Sequence, residues 1–120
     1  MNSWVCIVDD DASVRKSLAN LLRSAGFDPL LFASGEELLA SAQARAAGCA
    51  LLDLKMPGQT GLEVQRELAR LGWPLPVICM SAHWDELSLQ ASMRLGAVAC
   101  LGKPFSEAAL LDAVEVARSS

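Results

Sequence analysis

The chain has 120 residues, 52% of them hydrophobic and 20% charged, so it carries material for one packed core and shows no sign of disorder. Its formal net charge of −4 argues against nucleic-acid binding by this domain, which would need a basic patch. No run approaches the ~18 apolar residues of a membrane helix.

Met1-Asn2-Ser3-Trp4 lacks the basic flank of a signal peptide, and the apolar run after it is cut short by three aspartates. That run, residues 5–8, reads as a buried strand ending at Asp9, Asp10 and Asp11. Asp11 is placed to cap a helix over 12–24, whose apolar face is Val14, Leu18, Leu21 and Leu22. A short second strand covers 29–32. Ser34 and Glu37 then form a capping box that opens a helix to about Ala44. The third strand, 49–52, runs into Asp53 and the loop Leu54-Lys55-Met56-Pro57-Gly58, before a helix over 61–71.

The fourth strand, 77–80, ends at Ser81. A helix over roughly 85–95 follows, with few strong apolar anchors, and is expected to be the least stable. The fifth strand, 98–101, is followed by Gly102 and Lys103-Pro104-Phe105, and a last helix covers 106–118. Cys6, Cys49, Cys79 and Cys100 sit inside or at the start of apolar runs with no CxxC pair, so they read as free thiols of a reducing, cytoplasmic compartment rather than a zinc site. The alternation is (βα)5. Right-handed crossovers make such a sheet parallel and cover both faces with helices. Periodicity leaves the strand order open.

A parallel sheet gathers its strand ends at one edge, where such folds bind ligands. Asp9, Asp10 and Asp53 there would repel one another unless a cation sat among them, and oxygen-only donors suit Mg²⁺ or Mn²⁺. Each also has an ordinary structural reading: Asp53 can close an Asx-turn, Ser81 can cap the next helix, and Lys103 can be a solvated charge. An X–Pro bond admits cis at ~0.5–1 kcal/mol, which at Lys103-Pro104 would aim the ammonium along the sheet edge.

The acidic pair Asp9-Asp10, the Asp53-to-Gly58 loop, Ser81-Ala82, Gly96-Ala97 and Lys103-Pro104-Phe105 together resemble the receiver domain of two-component response regulators. In detail they are similar to receivers of the nitrogen-fixation and nitrate-type regulators. The resemblance covers residues 1–120 as one domain and implies a doubly wound five-stranded sheet of flavodoxin-like order 2-1-3-4-5. It implies that Asp53 accepts a phosphoryl group from a sensor histidine kinase, with at most weak self-phosphorylation and self-dephosphorylation. Asp10, Asp53 and the Lys55 carbonyl would hold the metal, with Asp9 acting through water. Ser81 would bond the phosphoryl group, Lys103 would be its counterion, and Lys55 and His83 would tune its hydrolysis. A homodimer through the fourth helix, fifth strand and last helix is implied, as is a DNA-binding domain beyond residue 120.

The chain departs from this pattern at Cys100, where the family usually has Tyr or Phe as a switch. Trp84 is a candidate substitute, against the plainer reading of an exposed helix-start residue. Three other functions share parts of this pattern. A dehalogenase-type phosphatase would want a second Asp where Lys55 stands. A flavin carrier would want hydroxyls where the three aspartates stand. A degenerate receiver used only for docking would not need Asp10, Asp53, Ser81 and Lys103 intact.

Overall fold

The computed structural model describes residues 3–119, so what was read from Met1, Asn2 and Ser120 lies outside the described residues. Five strands alternate with five helices: β1 Trp4–Val8, α1 Ala12–Ser24, β2 Asp28–Phe32, α2 Gly35–Ala40, β3 Cys49–Asp53, α3 Gly61–Arg70, β4 Val77–Ser81, α4 Glu86–Arg94, β5 Ala99–Gly102 and α5 Glu107–Arg118. The sheet order is β2-β1-β3-β4-β5 and every pairing is parallel. This is the flavodoxin-like order that the resemblance implied and periodicity left open.

The period-two alternation of strand side chains divides the core in two. Cys6, Val8, Ala50, Leu52, Val77 and Cys79 face one way and meet Leu38, Val64 and Leu68 of α2 and α3. Val5, Ile7, Cys49, Leu51, Ile78 and Met80 face the other way and meet Leu18, Leu22, Leu110 and Val114 of α1 and α5. Both faces of β3 and β4 are buried, which is why these strands carry unbroken apolar runs instead of alternation.

Local capping sets the element starts. Asp11 accepts the backbone N–H groups of Ser13 and Val14, and Ser106 accepts that of Ala109. Thr60 and Glu63 form a reciprocal box at α3, as do Asp85 and Ser88 at α4. At α2 the expected box is half made. Ser34 accepts the Glu37 N–H, but the Glu37 carboxylate reaches back to the N–H of Ala33.

Among the boundaries that differ from the sequence reading, two have a clear physical reason. The helix expected to reach Ala44 stops at Ala40, because Ser41 is extended and its hydroxyl accepts the Ala44 N–H, opening a separate 3-10 turn over Gln43–Ala46. The fifth strand lies one residue later than its apolar run, since the ladder continues to Gly102, opposite Ser81. Helix α4 buries only Ser92 and leaves Leu87 81% exposed, in keeping with its expected weakness. All four cysteines are free thiols. Burial pushes Cys6, Cys49 and Cys79 up to about 12, so they pack as small apolar groups.

Leu110 is fully buried against the sheet. Leu110→Ala is expected to lower the unfolding free energy by ~2–5 kcal/mol in a denaturant titration, whereas Leu87→Ala should change it by less than about 0.5 kcal/mol. Equal effects would contradict this division between a packed sheet and a loosely held α4.

Candidate functional site

The C-terminal ends of β1, β3, β4 and β5 bring together the residues that the sequence marked. Asp9, Asp10 and Asp53 offer carboxylate oxygens that all lie within 4.8 Å of one another. Asp9 and Asp53 are buried, and Asp10 is exposed. Ser81 is 1% exposed, one step beyond the residue that pairs with Asp53 in the β3–β4 register. The Lys103 ammonium closes the group, 3.0 Å from Asp9 Oδ2 and 3.6 Å from Asp53 Oδ1. The Lys103–Pro104 bond is cis.

The carboxylates are not equivalent. Asp9 has both oxygens engaged, Oδ2 by Lys103 and Oδ1 by the Asp11 N–H at 2.9 Å. Its carbonyl also accepts from Arg15 at 2.7 Å. The contacts of Asp53 both fall on Oδ1, from the Lys55 N–H at 3.3 Å and from Lys103. Burial is the first cause raising the Asp53 pKa above the ordinary carboxylate value. The Asp9 charge adds to it, Lys103 and the Lys55 N–H oppose it, and Asp10 adds a smaller push. An excess of negative charge therefore sits around one ammonium, in a donor set of oxygens alone. That chemistry fits a hard divalent cation.

The loop after Asp53 is drawn tight by a close approach at Gly61. A Cβ built there would lie 2.7 Å from the Asp53 carbonyl and 2.8 Å from Leu54 Cα, so a larger residue has no room. The Gly61 N–H donates to the Leu54 carbonyl at 3.0 Å. Sequence reasoning placed Gly61 only as a helix start.

Ser81 is not the cap of the next helix. Asp85 fills that role, while Ser81 Oγ accepts the His83 N–H at 3.1 Å. Lys55 and His83 lie outside the carboxylate cluster. They line a cleft of about 210 Å³ with Leu54, Thr60, Ser81 and Asp85. Trp84 is half-buried, and its Nε1–H donates to the Leu101 carbonyl at 2.9 Å, so it is not an exposed helix-start residue. Two further features were missed in the sequence: Lys103 pairs more closely with Asp9 than with Asp53, and Arg15 anchors the Asp9 backbone. The i to i+6 spacing from Asp9 to a helical Arg15 was the available signal for the second.

Comparison with known proteins gives one pattern throughout. A family model for the response regulator receiver domain matches residues 5–115. Nodulation protein W of Bradyrhizobium diazoefficiens is 43% identical over 113 residues, covering 94% of this chain and 50% of that protein. Response regulator protein TmoT of Ectopseudomonas mendocina is 40% identical over 115 residues, covering 96% of this chain and 52% of that protein. The chain thus spans about half the length of the curated relatives it matches. Among solved structures, FixJ-N superposes with a TM-score of 0.90 at 34% identity, covering 99% of this chain and 95% of that one. The response regulator StyR superposes at 0.89 with 40% identity, covering 99% of this chain and 60% of that one.

The charge imbalance is measurable. A carboxyl whose pKa is higher in the folded than in the unfolded chain binds its proton more tightly when folded. It therefore costs stability as pH rises from the unfolded value, about 3.9, through the folded one. Asp53→Asn removes this cost. Its melting temperature at pH 7 without divalent ions is expected to exceed that of the wild type, with the gap closing as pH falls towards 4 or as Mg²⁺ is added. Identical melting curves at pH 7 would show that neither the burial nor the repulsion of the Asp53 charge is felt.

Proposed function

The chain belongs to the response regulator receiver domain family, and on that premise we propose that it works as a phosphoacceptor switch with Asp53 as the acceptor. The observation that carries the reading is one buried carboxylate at a strand end, ringed by Asp9, Asp10 and Lys103 and neighboured by the Ser81 hydroxyl. Residues 1–120 are read as one such domain.

The donor would be a phosphohistidine on a sensor histidine kinase. An Asp53 carboxylate oxygen attacks phosphorus in line, the P–N bond breaks, and the departing imidazole takes a proton from solvent. Because both contacts of Asp53 run to Oδ1, the second oxygen is the one open to attack. The Lys103 ammonium lies between Asp9 and Asp53 and can follow charge from one to the other as the phosphoryl group arrives. Ser81 can exchange the His83 N–H for a phosphoryl oxygen, to which its own O–H donates. Mg²⁺ or Mn²⁺ held by Asp10, Asp53 and the Lys55 carbonyl, with Asp9 acting through water, would neutralise the carboxylates and draw in the phosphoryl group. Asp9 suits the indirect place because both of its oxygens already have partners.

The product is a signal rather than a released compound, with at most weak self-phosphorylation and self-dephosphorylation as turnover. A phosphatase that used Asp53 as nucleophile would need an acid where the exposed Lys55 stands. No helix among the described residues is long and apolar enough to cross a membrane, and a cytoplasmic setting fits the buried free thiols. Relatives named as transcriptional regulatory proteins are about twice as long as this chain. The switch is accordingly proposed to govern a DNA-binding output domain beyond residue 120. Exposed Leu87 and Met93 on α4 and Val116 on α5 are proposed to support a homodimer through α4, β5 and α5.

Acetyl phosphate with Mg²⁺ should give a single phosphoryl adduct by intact-protein mass spectrometry. Asp53→Asn should give none, and multiple turnover of phosphomonoesters without an adduct would overturn the reading. Lys55→Ala and His83→Ala should each change the adduct lifetime more than the melting temperature, because both side chains are exposed beside Ser81. Unchanged lifetimes in both would remove them from the site.

A further inference from the structure

The end of β4 and the end of β5 are tied by two hydrogen bonds of opposite direction. The Lys103 backbone N–H donates to the Ser81 carbonyl at 2.8 Å. The Trp84 indole Nε1–H donates to the Leu101 carbonyl at 2.9 Å. The segment between these anchors, Ser81 to Trp84, is short, and its own hold on Ser81 is the bond from the His83 N–H to Oγ. Helix α4 follows at once, capped by Asp85.

The indole bridges two parts of unequal stiffness. The β4–β5 ladder is regular through Ser81 and Gly102. Helix α4 rests on little: Ser92 is its one buried residue, and Leu87, Leu89 and Met93 are exposed. Beneath it, Cys100 Sγ lies 3.7 Å from Ser92 Oγ and 3.6 Å from Met93 Sδ, a small contact for a strand residue under a helix. The Trp84 ring packs against the same core cluster as Cys100 and lies over Gly102, where a Cβ would come to 3.9 Å from Cδ1. A movement of Ser81 towards Asp53 gives up the His83 bond and displaces the two residues before Trp84. The indole must then slide on, or leave, the Leu101 carbonyl.

We propose that Trp84 is the positioning residue through which Ser81 reports the state of Asp53 to β5 and α4, with the indole–Leu101 hydrogen bond as the coupling contact. Cys100 leaves the space beneath α4 without a ring, and Trp84 supplies one against the same core cluster, over Gly102. The proposal rests on Asp53 being the phosphoacceptor.

The test uses the ¹⁵N-labelled chain with Mg²⁺ and beryllofluoride, occupancy being read from the bound ¹⁹F signal. On occupancy, the Trp84 indole resonance should shift while that of Trp73, stacked under Arg45 at the opposite end of the strands, stays in place. Trp84→Phe keeps a ring but loses the donor. It should bind beryllofluoride as the wild type does, yet lose the shifts at Leu101, Gly102 and Met93. Adding Cys100→Phe to it should restore them. Should Trp84→Phe fold poorly, the wild type provides the second arm, since exchange of its Trp84 indole N–H with solvent should quicken on occupancy while that of Trp73 stays unchanged. An unmoved Trp84 indole at full occupancy, or a complete set of shifts in Trp84→Phe, overturns the inference. Absence of any bound ¹⁹F signal overturns the phosphoacceptor reading, and this inference with it.

Discussion

Three carboxylates held within 4.8 Å of one another by a parallel sheet, with one ammonium among them, set the terms for the rest of this protein. Such a cluster stores repulsion, and burial first and the Asp9 charge second raise the pKa of Asp53. Only a stiff support can hold it. The support is the centre of the sheet, β3 flanked by β1 and β4, every residue of β3 and β4 being buried. Lys103 does not relieve the strain evenly. It sits closer to Asp9, so Asp53 keeps part of its unfavourable charge, and an incoming cation or phosphoryl group meets a site that gains by accepting it.

That uneven pairing explains the division of labour among the aspartates. Asp9 is buried and saturated, with Lys103, the Asp11 N–H and, through its carbonyl, Arg15. It acts as a fixed negative wall. Asp10 is exposed and Asp53 opens at one oxygen, which makes them the adaptable pair. Asp9 and Asp10 follow the last residue of β1, where the chain leaves the sheet with Asp9 buried and Asp10 exposed, so two consecutive aspartates serve two purposes.

The sheet and its helices were legible because each strand is a short apolar run and each helix begins at a side-chain cap. Strand order was not legible from periodicity, since that pattern reports which faces are buried and not which neighbours a strand has. Ser41 illustrates the second limit: a hydroxyl in a run of good helix formers diverted the backbone and ended α2 four residues early. Within the site, strand-end position suggested a pocket for a metal and a phosphate, and the roles of Asp53 and Ser81 came from the family resemblance. The closer pairing of Lys103 with Asp9 could not, because it depends on ångström differences among three nearby acceptors. Gly61 was read as a helix start, while its real constraint is the backbone of Asp53 and Leu54 packed against it.

Rigidity and softness are also distributed by residue choice. Where β4 meets β5, Cys79 and Cys100 stand side by side, and both sulfurs lie near the Ser92 hydroxyl, a contact of small groups that specifies little. A bulky ring at residue 100 would lock α4 to β5 by its own volume. With a thiol there, the firm link between the hydroxyl loop and β5 becomes the indole of Trp84, a single directional hydrogen bond instead of a packed surface. A directional bond is lost over a fraction of an ångström, whereas packing yields gradually. A loosely packed α4 reached through one such bond can therefore change sharply when Ser81 moves, even though the sheet beneath it does not.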